Sequence, residues 1–267
     1  EGAAYATIIS QLLSGLFCIP VIKKKLPILR IAREDWKLSG KELWEHLRVA
    51  APMGFQMSII AIGSVSVTFA LNRLGTVAVA AFTTSQKIDM FANMPLGSFG
   101  AAMTTYTAQN YGARRIDRIR QGVAQCALMS CSFSVFMGLI YFFFGRYFSA
   151  FFLGDAAEAV SLSHNYLKIT GSAYIFLAWL FIARQSLQGL GNSLVPTIAG
   201  IVELFMRTFS AIFLSGYFGF TGIIFSSPLA WVGACIPLTL ALVYDLKKLT
   251  RKSLSEWKRH KKISPAR

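Results

Sequence analysis

The sequence predicts an all-α polytopic membrane protein. Of its residues 54% are hydrophobic and only 15% are charged, and the mean hydropathy is +0.51. Apolar runs of about 20 residues recur along the chain, the length a helix needs to cross a hydrocarbon core of about 30 Å. The basic residues are concentrated between alternate runs, as expected where one set of connections faces the cytoplasm.

Seven spans follow in order. The first covers 2–21 and ends at Pro20 before Lys23, Lys24 and Lys25. The run begins at Glu1 without a methionine, which reads as a piece of a longer membrane protein. A basic linker occupies 22–48. The second span, 49–71, carries Pro52 in its first turn, where proline is tolerated. The third covers 77–109. A basic loop from Asn110 to Arg120 leads to the fourth, 120–144, which closes on Tyr141, Phe142, Phe143 and Phe144, the composition of an interfacial aromatic belt. Residues 145–157 read as a short interfacial stretch with Phe148, Phe151 and Phe152 toward lipid. The remaining spans are 161–186, 194–216 and 221–244, so that residues 49–244 hold six spans and 245–267 form a basic tail.

The third span is the least uniform. Gln86, Asp89, Asn93, Gly97, Gly100, Thr104 and Thr107 recur at steps of three and four, which places them on one helical face. Polar groups at membrane depth must face protein or water, so this stripe belongs to a cavity wall or to a close helix contact made by small residues. Pro95 lies mid-stripe and predicts a kink.

Charge orients the spans. With Arg184 counted at the inner end of its span, 22 of the 27 lysines and arginines fall on one side: eight in the linker, four in the 110–120 loop, Arg184, and nine after Asp245. Arg73 and Arg146 lie on the other side, and Lys87, Lys168 and Arg207 lie within spans. The linker, the 110–120 loop and the carboxy terminus are therefore expected in the cytoplasm of a multi-pass cell-membrane protein. The net charge of +15 reports this topology; its basic residues flank spans at several separate places, which argues against a nucleic-acid surface.

Few polar residues suggest chemistry. The three histidines, His46, His164 and His260, are scattered, and Cys18, Cys126, Cys131 and Cys235 lie in apolar runs without CxxC spacing. No nucleophile motif or phosphate loop is present, so neither an enzyme nor a bound cofactor is expected. Glu203 and Arg207 stand four apart, glutamate first, the favourable order for an ion pair on one helix. Arg207 is about 20 Å along its span at 1.5 Å per residue, where an unpaired charge costs at least about 2.5–3.5 kcal/mol. Trp179 lies on the face of Lys168, Ser172 and Ile175 and could stack on a flat cation.

A short internal match links Gly2 to Thr7 (GAAYAT) with Gly222 to Ser227 (GIIFSS). It suggests that the first span ends one repeat and the last six form the next, as in transporters built of parallel halves.

Three words then carry a family resemblance. They are Gln86-Lys87-Ile88-Asp89 with Pro95, closing in Gln109-Asn110-Tyr111-Gly112-Ala113; Gln188-Gly189-Leu190-Gly191-Asn192 with Pro196, Glu203 and Arg207; and Gly2-Ala3-Ala4 with Ala6, Thr7, Ser10 and Gln11. Together they resemble the carboxy-terminal half of a multidrug and toxic compound extrusion (MATE) transporter. The resemblance implies twelve helices in two six-helix lobes, of which this chain would hold the sixth helix (1–21) and the second lobe (49–244). It implies export of small cationic or amphiphilic molecules in exchange for Na⁺ or H⁺, with the preceding lobe as partner in the lipid bilayer.

Some members of that family carry acidic cation ligands in the second lobe. The matching positions here are Ile60, Ala173 and Leu177, which offer no carboxylate, so coupling acids are expected in the preceding lobe. The substrate cavity is expected to use Gln86, Asp89, Asn93, Thr104 and Trp179. A flippase for lipid-linked sugars would need several basic residues to hold a pyrophosphate, whereas the stripe offers Asp89 with Lys87 turned off it. A seven-helix receptor would match the span count but not the internal match.

The topology is testable by cysteine labelling in a background lacking the four native cysteines. A cysteine at Thr76 should react with an impermeant reagent added outside, and one at Ser255 should not. Labelling of Ser255 from outside would reverse the orientation.

Overall fold

A computed structural model describes residues 2–25 and 39–263 of the protein, with side chains described at residues 2, 4–25 and 39–251. The described residues are helical apart from short turns, with no strand among them. Ten helices run in order: α1 (Gly2–Lys25), α2 (Gly40–Asn72), α3 (Thr76–Gly112), α4 (Ile116–Leu153), α5 (Ala157–Ser172), α6 (Tyr174–Gly189), α7 (Leu194–Phe209), α8 (Ser215–Phe218), α9 (Phe220–Ile224) and α10 (Ser226–Ile263). A five-residue π-helical turn, Ser210–Leu214, joins α7 to α8. The chain divides into two units, residues 1–48 and 49–267.

In the first unit, α1 is an apolar helix with Pro20 inside and Lys23, Lys24 and Lys25 in its last turn. Residues 26–38 of the predicted linker, including Arg30, Arg33 and Lys37, lie outside the described residues.

The second unit has the polarity of a protein dissolved in lipid. Its outward side chains are apolar: Phe55, Phe69, Phe91, Met94, Phe143, Phe205 and Tyr217 are each more than 60% exposed. Its buried side chains include Gln56, Ser85, Asp89, Ser130, Ser149, Ser163, Thr170 and Glu203. Lipid offers no hydrogen bonds, so polar groups turn inward and find one another. Ser85 on α3, Ser149 on α4 and Ser163 on α5 show this: their hydroxyls are linked at 2.9 and 2.8 Å, and all three are fully buried.

The observed helices differ from the predicted spans in several places. Among the described residues, five helices are long and apolar enough to cross a membrane, six if α5 and α6 count as one bent span. α3, at 37 residues, is long enough but is not among them, because its polar stripe dilutes its apolar face. α2 begins at Gly40, so Pro52 lies in the helix interior rather than its first turn. α4 runs on to Leu153 through the stretch expected to be interfacial; nothing in 145–153 breaks a helix, and Gly154, at φ 59°, ends it. α10 continues without a stop from the last span into the tail. The Gly222 to Ser227 word straddles the α9–α10 junction, within the opening residues of the last membrane-spanning stretch, Phe220–Arg251.

The fifth span is broken. α5 and α6 meet at Ala173 with a bend of 51°. Shortened turns replace the regular ladder there: the Ala173 amide donates to the Thr170 carbonyl and the Phe176 amide to the Ala173 carbonyl, both at 3.0 Å. The Ser172 hydroxyl takes the Ile169 carbonyl at 2.8 Å.

Two glycine contacts set the spacing of the helices around this break. A Cβ on Gly138 of α4 would lie 2.7 Å from the Gly171 carbonyl oxygen of α5. A Cβ on Gly189 of α6 would lie 2.6 Å from the Thr104 carbonyl oxygen and 2.9 Å from the Thr107 Cβ of α3. These are the close backbone approaches that small residues permit between membrane helices.

Gly189→Ala should therefore prise α3 from α6 and cost about 1–3 kcal/mol as overpacking. Gly97→Ala meets no atom within 4 Å and should be neutral. Thermal unfolding in detergent, followed by tryptophan fluorescence, compares them; equal midpoints would show that the α3–α6 contact is looser than described.

Candidate functional site

The polar stripe of α3 divides in two. In its upper half Asp89 is 8% exposed. It accepts a hydrogen bond from the Tyr174 hydroxyl, at the first residue of α6. It also accepts one from Asn93 Nδ2 at 2.7 Å, one helical turn along α3. No lysine or arginine among the described residues is ion-paired with it. Tyr141 of α4 donates to the Ile88 carbonyl at 2.6 Å and meets the Tyr174 ring edge-on at 5.8 Å between centroids. Trp231 of α10 lies against the other side of Tyr174, at 6.2 Å. A carboxylate is thus set between α3 and α6 just below the bend, held by neutral donors and walled by aromatic rings.

In its lower half the stripe is a helix contact. Thr104 donates to Gln185 Oε1 of α6 at 2.8 Å, Gly100 and Thr107 are buried, and Gly189 packs against Thr104 and Thr107. Gln86, at the stripe's upper end, is exposed, and Asn93 is half-buried. Trp179 is half-buried, and its indole N–H donates to Thr239 of α10 at 2.6 Å. The structure therefore brings Asp89 and Asn93 together, and it places Thr104 and Trp179 in bonds that join α6 to its neighbours.

The ion pair expected between Glu203 and Arg207 does not form. Glu203, 3% exposed, is paired instead with Arg184 of α6, 8% exposed. The cause is direction. Glu203 faces α6, while the Arg207 stem turns to α2, where Gly63 leaves room for it: a Cβ on Gly63 would lie 3.2 Å from Arg207 Cδ. Arg184, which the charge count placed at the inner end of its span, is likewise buried within the bundle.

The sequence reading missed Tyr174, Tyr141, Gln185 and Arg184. Arg184 and Gln185 were visible as polar residues at the end of an apolar run, but the run's end was taken as a flank. Tyr141, expected in an interfacial aromatic belt, is instead buried inside the bundle with its hydroxyl bonded to α3, and Tyr174 carries no signal, since a tyrosine in an apolar run is ordinary packing material until its hydroxyl has a partner. Gln56 of α2 was also missed; it accepts from Gln188 Nε2 of α6 at 3.2 Å. Among the described residues no group of three or more His, Cys, Asp or Glu is placed to hold a metal ion.

Comparison with known proteins gives these contacts a family. The chain is 24% identical to the probable multidrug resistance protein YoeA of Bacillus subtilis over 248 residues, 91% of this chain and 52% of that protein. It is 29% identical to the probable multidrug resistance protein YpnP of the same organism over 228 residues, 83% of this chain and 49% of that protein. The chain spans about half the length of the curated relatives it matches. The crystal structure of MATE in complex with MaL6 superposes with a TM-score of 0.83 at 20% identity, over 94% of this chain and 57% of that one. The outward-facing structure of a multidrug resistance MATE family transporter of the MOP superfamily also gives 0.83 at 20% identity, over 93% and 56%. At that identity the likeness establishes the fold: an all-helical membrane lobe of the MATE type. The MatE family model matches residues 52–214, which contain α3 to α7 and all the residues of the Asp89 and Glu203 sites except those on α10. On that match the chain belongs to the MatE family.

Proposed function

We propose that the chain is the second half of a secondary active exporter in the cell membrane. It moves cationic or amphiphilic drugs and toxins outward in exchange for Na⁺ or H⁺. In this reading residues 1–21 are the closing helix of the first lobe, residues 49–244 are the second lobe, and the carboxy terminus is cytoplasmic. The names of the relatives as multidrug resistance proteins support the cargo class. The coupling acid lies in the first lobe, since Ile60, Ala173 and Leu177 offer no carboxylate here.

The observation that carries the reading is Asp89. An acid at membrane depth is costly to keep and is a functional residue by default. Structural acids in a bundle are matched to a cation, as Glu203 is to Arg184. Asp89 is matched only to the Tyr174 hydroxyl and the Asn93 amide. These donors orient a carboxylate without neutralising it, leaving its charge for a cationic cargo or a proton. Gln86 and Asn93 supply neutral polar contacts beside it, and Thr104 and Trp179 act by fixing α3 and α10 to α6.

In the full-length exporter, Asp89→Asn keeps the size of the side chain, removes its charge and turns one of its two accepting oxygens into a donor. Export of a cationic dye should fall about tenfold, equivalent to ~1.4 kcal/mol, while a neutral dye is little affected and the protein level in the membrane is unchanged. Tyr174→Phe removes one donor and should fall between the two. Equal losses for both dyes, or a loss that follows protein level, would make Asp89 a packing residue.

A further inference from the structure

The charges around Glu203 do not balance. Arg184 Nη2 donates to Glu203 Oε1, and this is the one hydrogen bond joining α6 to α7 among the described residues. Arg207 has no ion-pair or hydrogen-bond partner among the described residues, and its Nε is fully buried without one. Arg184 Nε is also buried and unbonded. Glu203 is the only carboxylate on α6 and α7 for these two guanidinium groups, and in this arrangement it is bonded to Arg184 alone. Asp89, the other buried acid, is held by Tyr174 and Asn93.

The placement of the second arginine is specific. Arg207 stands four residues after Glu203 on α7, so their Cβ atoms are neighbours on one helical face. Glutamate first and arginine four later is the order in which such a pair is favourable. The Arg207 stem is received by Gly63 of α2, where any larger side chain would press on it. Three residues beyond Arg207 the regular ladder gives way to the π-helical turn Ser210–Leu214, a feature that tolerates a local shift of helix register and recurs at functional sites.

We propose that Glu203 is a two-position latch. In the arrangement seen here its carboxylate bonds Arg184 and ties α6 to α7. When α6 and α7 part, it passes to Arg207 on its own helix. A glutamate with a single partner would be stranded by that movement, at the several kcal/mol that an uncompensated buried charge costs. With a second partner one turn away, the carboxylate stays paired as the helices separate, and the unpaired guanidinium changes from Arg207 to Arg184. The latch is independent of which cargo the exporter carries, and its test reads helix contacts and stability rather than export.

The experiment is a mutant cycle in the purified full-length protein. Arg184→Gln and Arg207→Gln each leave Glu203 one partner; the first breaks the bond seen here and should lower the thermal midpoint, whereas the second removes a guanidinium unpaired in this arrangement and should not lower it. Together they leave it none, and the midpoint should fall by more than the sum of the single effects. In a Glu203→Gln background the excess should vanish. A second measurement guards against poor folding of the double variant. Spin labels at the lipid-exposed positions Phe176 of α6 and Phe205 of α7, in a background lacking native cysteines, report the distance between the helices. Arg184→Gln should shift the distribution to longer distances and Arg207→Gln to shorter ones. Additive losses, an excess that survives Glu203→Gln, or distance distributions that neither substitution moves would overturn the latch.

Discussion

Lipid cannot hydrogen-bond, and most of the second unit's internal arrangement is an answer to that fact. Each polar group that the sequence places within a span has to be met by another span. The Ser85, Ser149 and Ser163 hydroxyls close on one another, Thr104 meets Gln185, Trp179 meets Thr239, and Glu203 meets Arg184. These bonds are individually modest, about 0.6 kcal/mol on average between membrane helices. Their effect is on specificity: a helix rotated by one residue would turn an unpartnered hydroxyl or charge to the hydrocarbon. The glycines set how closely the helices approach, and the polar pairs set which faces meet.

The same constraint explains why two buried acids in one lobe differ. Glu203 is bonded to Arg184 and has Arg207 four residues along its own helix. Asp89 has only neutral donors. One acid stabilises the contact between helices, and the other keeps an electrostatic demand that the lobe itself does not meet. Residues of one chemical type thus differ in their pairing according to what the neighbouring helix presents.

Much of this was legible in the sequence. Hydropathy and charge alternation gave the helical membrane class, and the three-and-four spacing of Gln86, Asp89, Asn93, Thr104 and Thr107 located the inner face of α3. What the sequence could not give was the partner of each residue, because that depends on rotations about helices far apart along the chain. The i+4 spacing of Glu203 and Arg207 suggested a local pair, yet a residue 19 positions upstream on α6 supplies the nearer cation. The break at Ala173 was equally silent. Gly171-Ser172-Ala173 reads as ordinary small-residue helix, and the contacts that flank the bend, Gly171 with Gly138 of α4 and Tyr174 with Tyr141 and Trp231, come from helices far away in sequence. Conversely, the stretch at 145–153 looked interfacial for its aromatic residues, which suit a helix flank facing lipid equally well.

The broken span has a consequence for how the protein enters its membrane. α5 contributes sixteen residues that include Ser161, Ser163, His164, Asn165, Lys168 and Thr170, and it qualifies as membrane-spanning only together with α6. Central polar and charged residues oppose insertion into bare lipid, and α3 alone and α5 without α6 both fall short of the apolarity of the other spans. They become compatible with the bilayer once they can hold each other, and the Ser85 to Ser163 bond joins these two helices. Stable insertion of α3 therefore depends on helices that follow it in the chain, because those helices carry the groups that meet its polar residues.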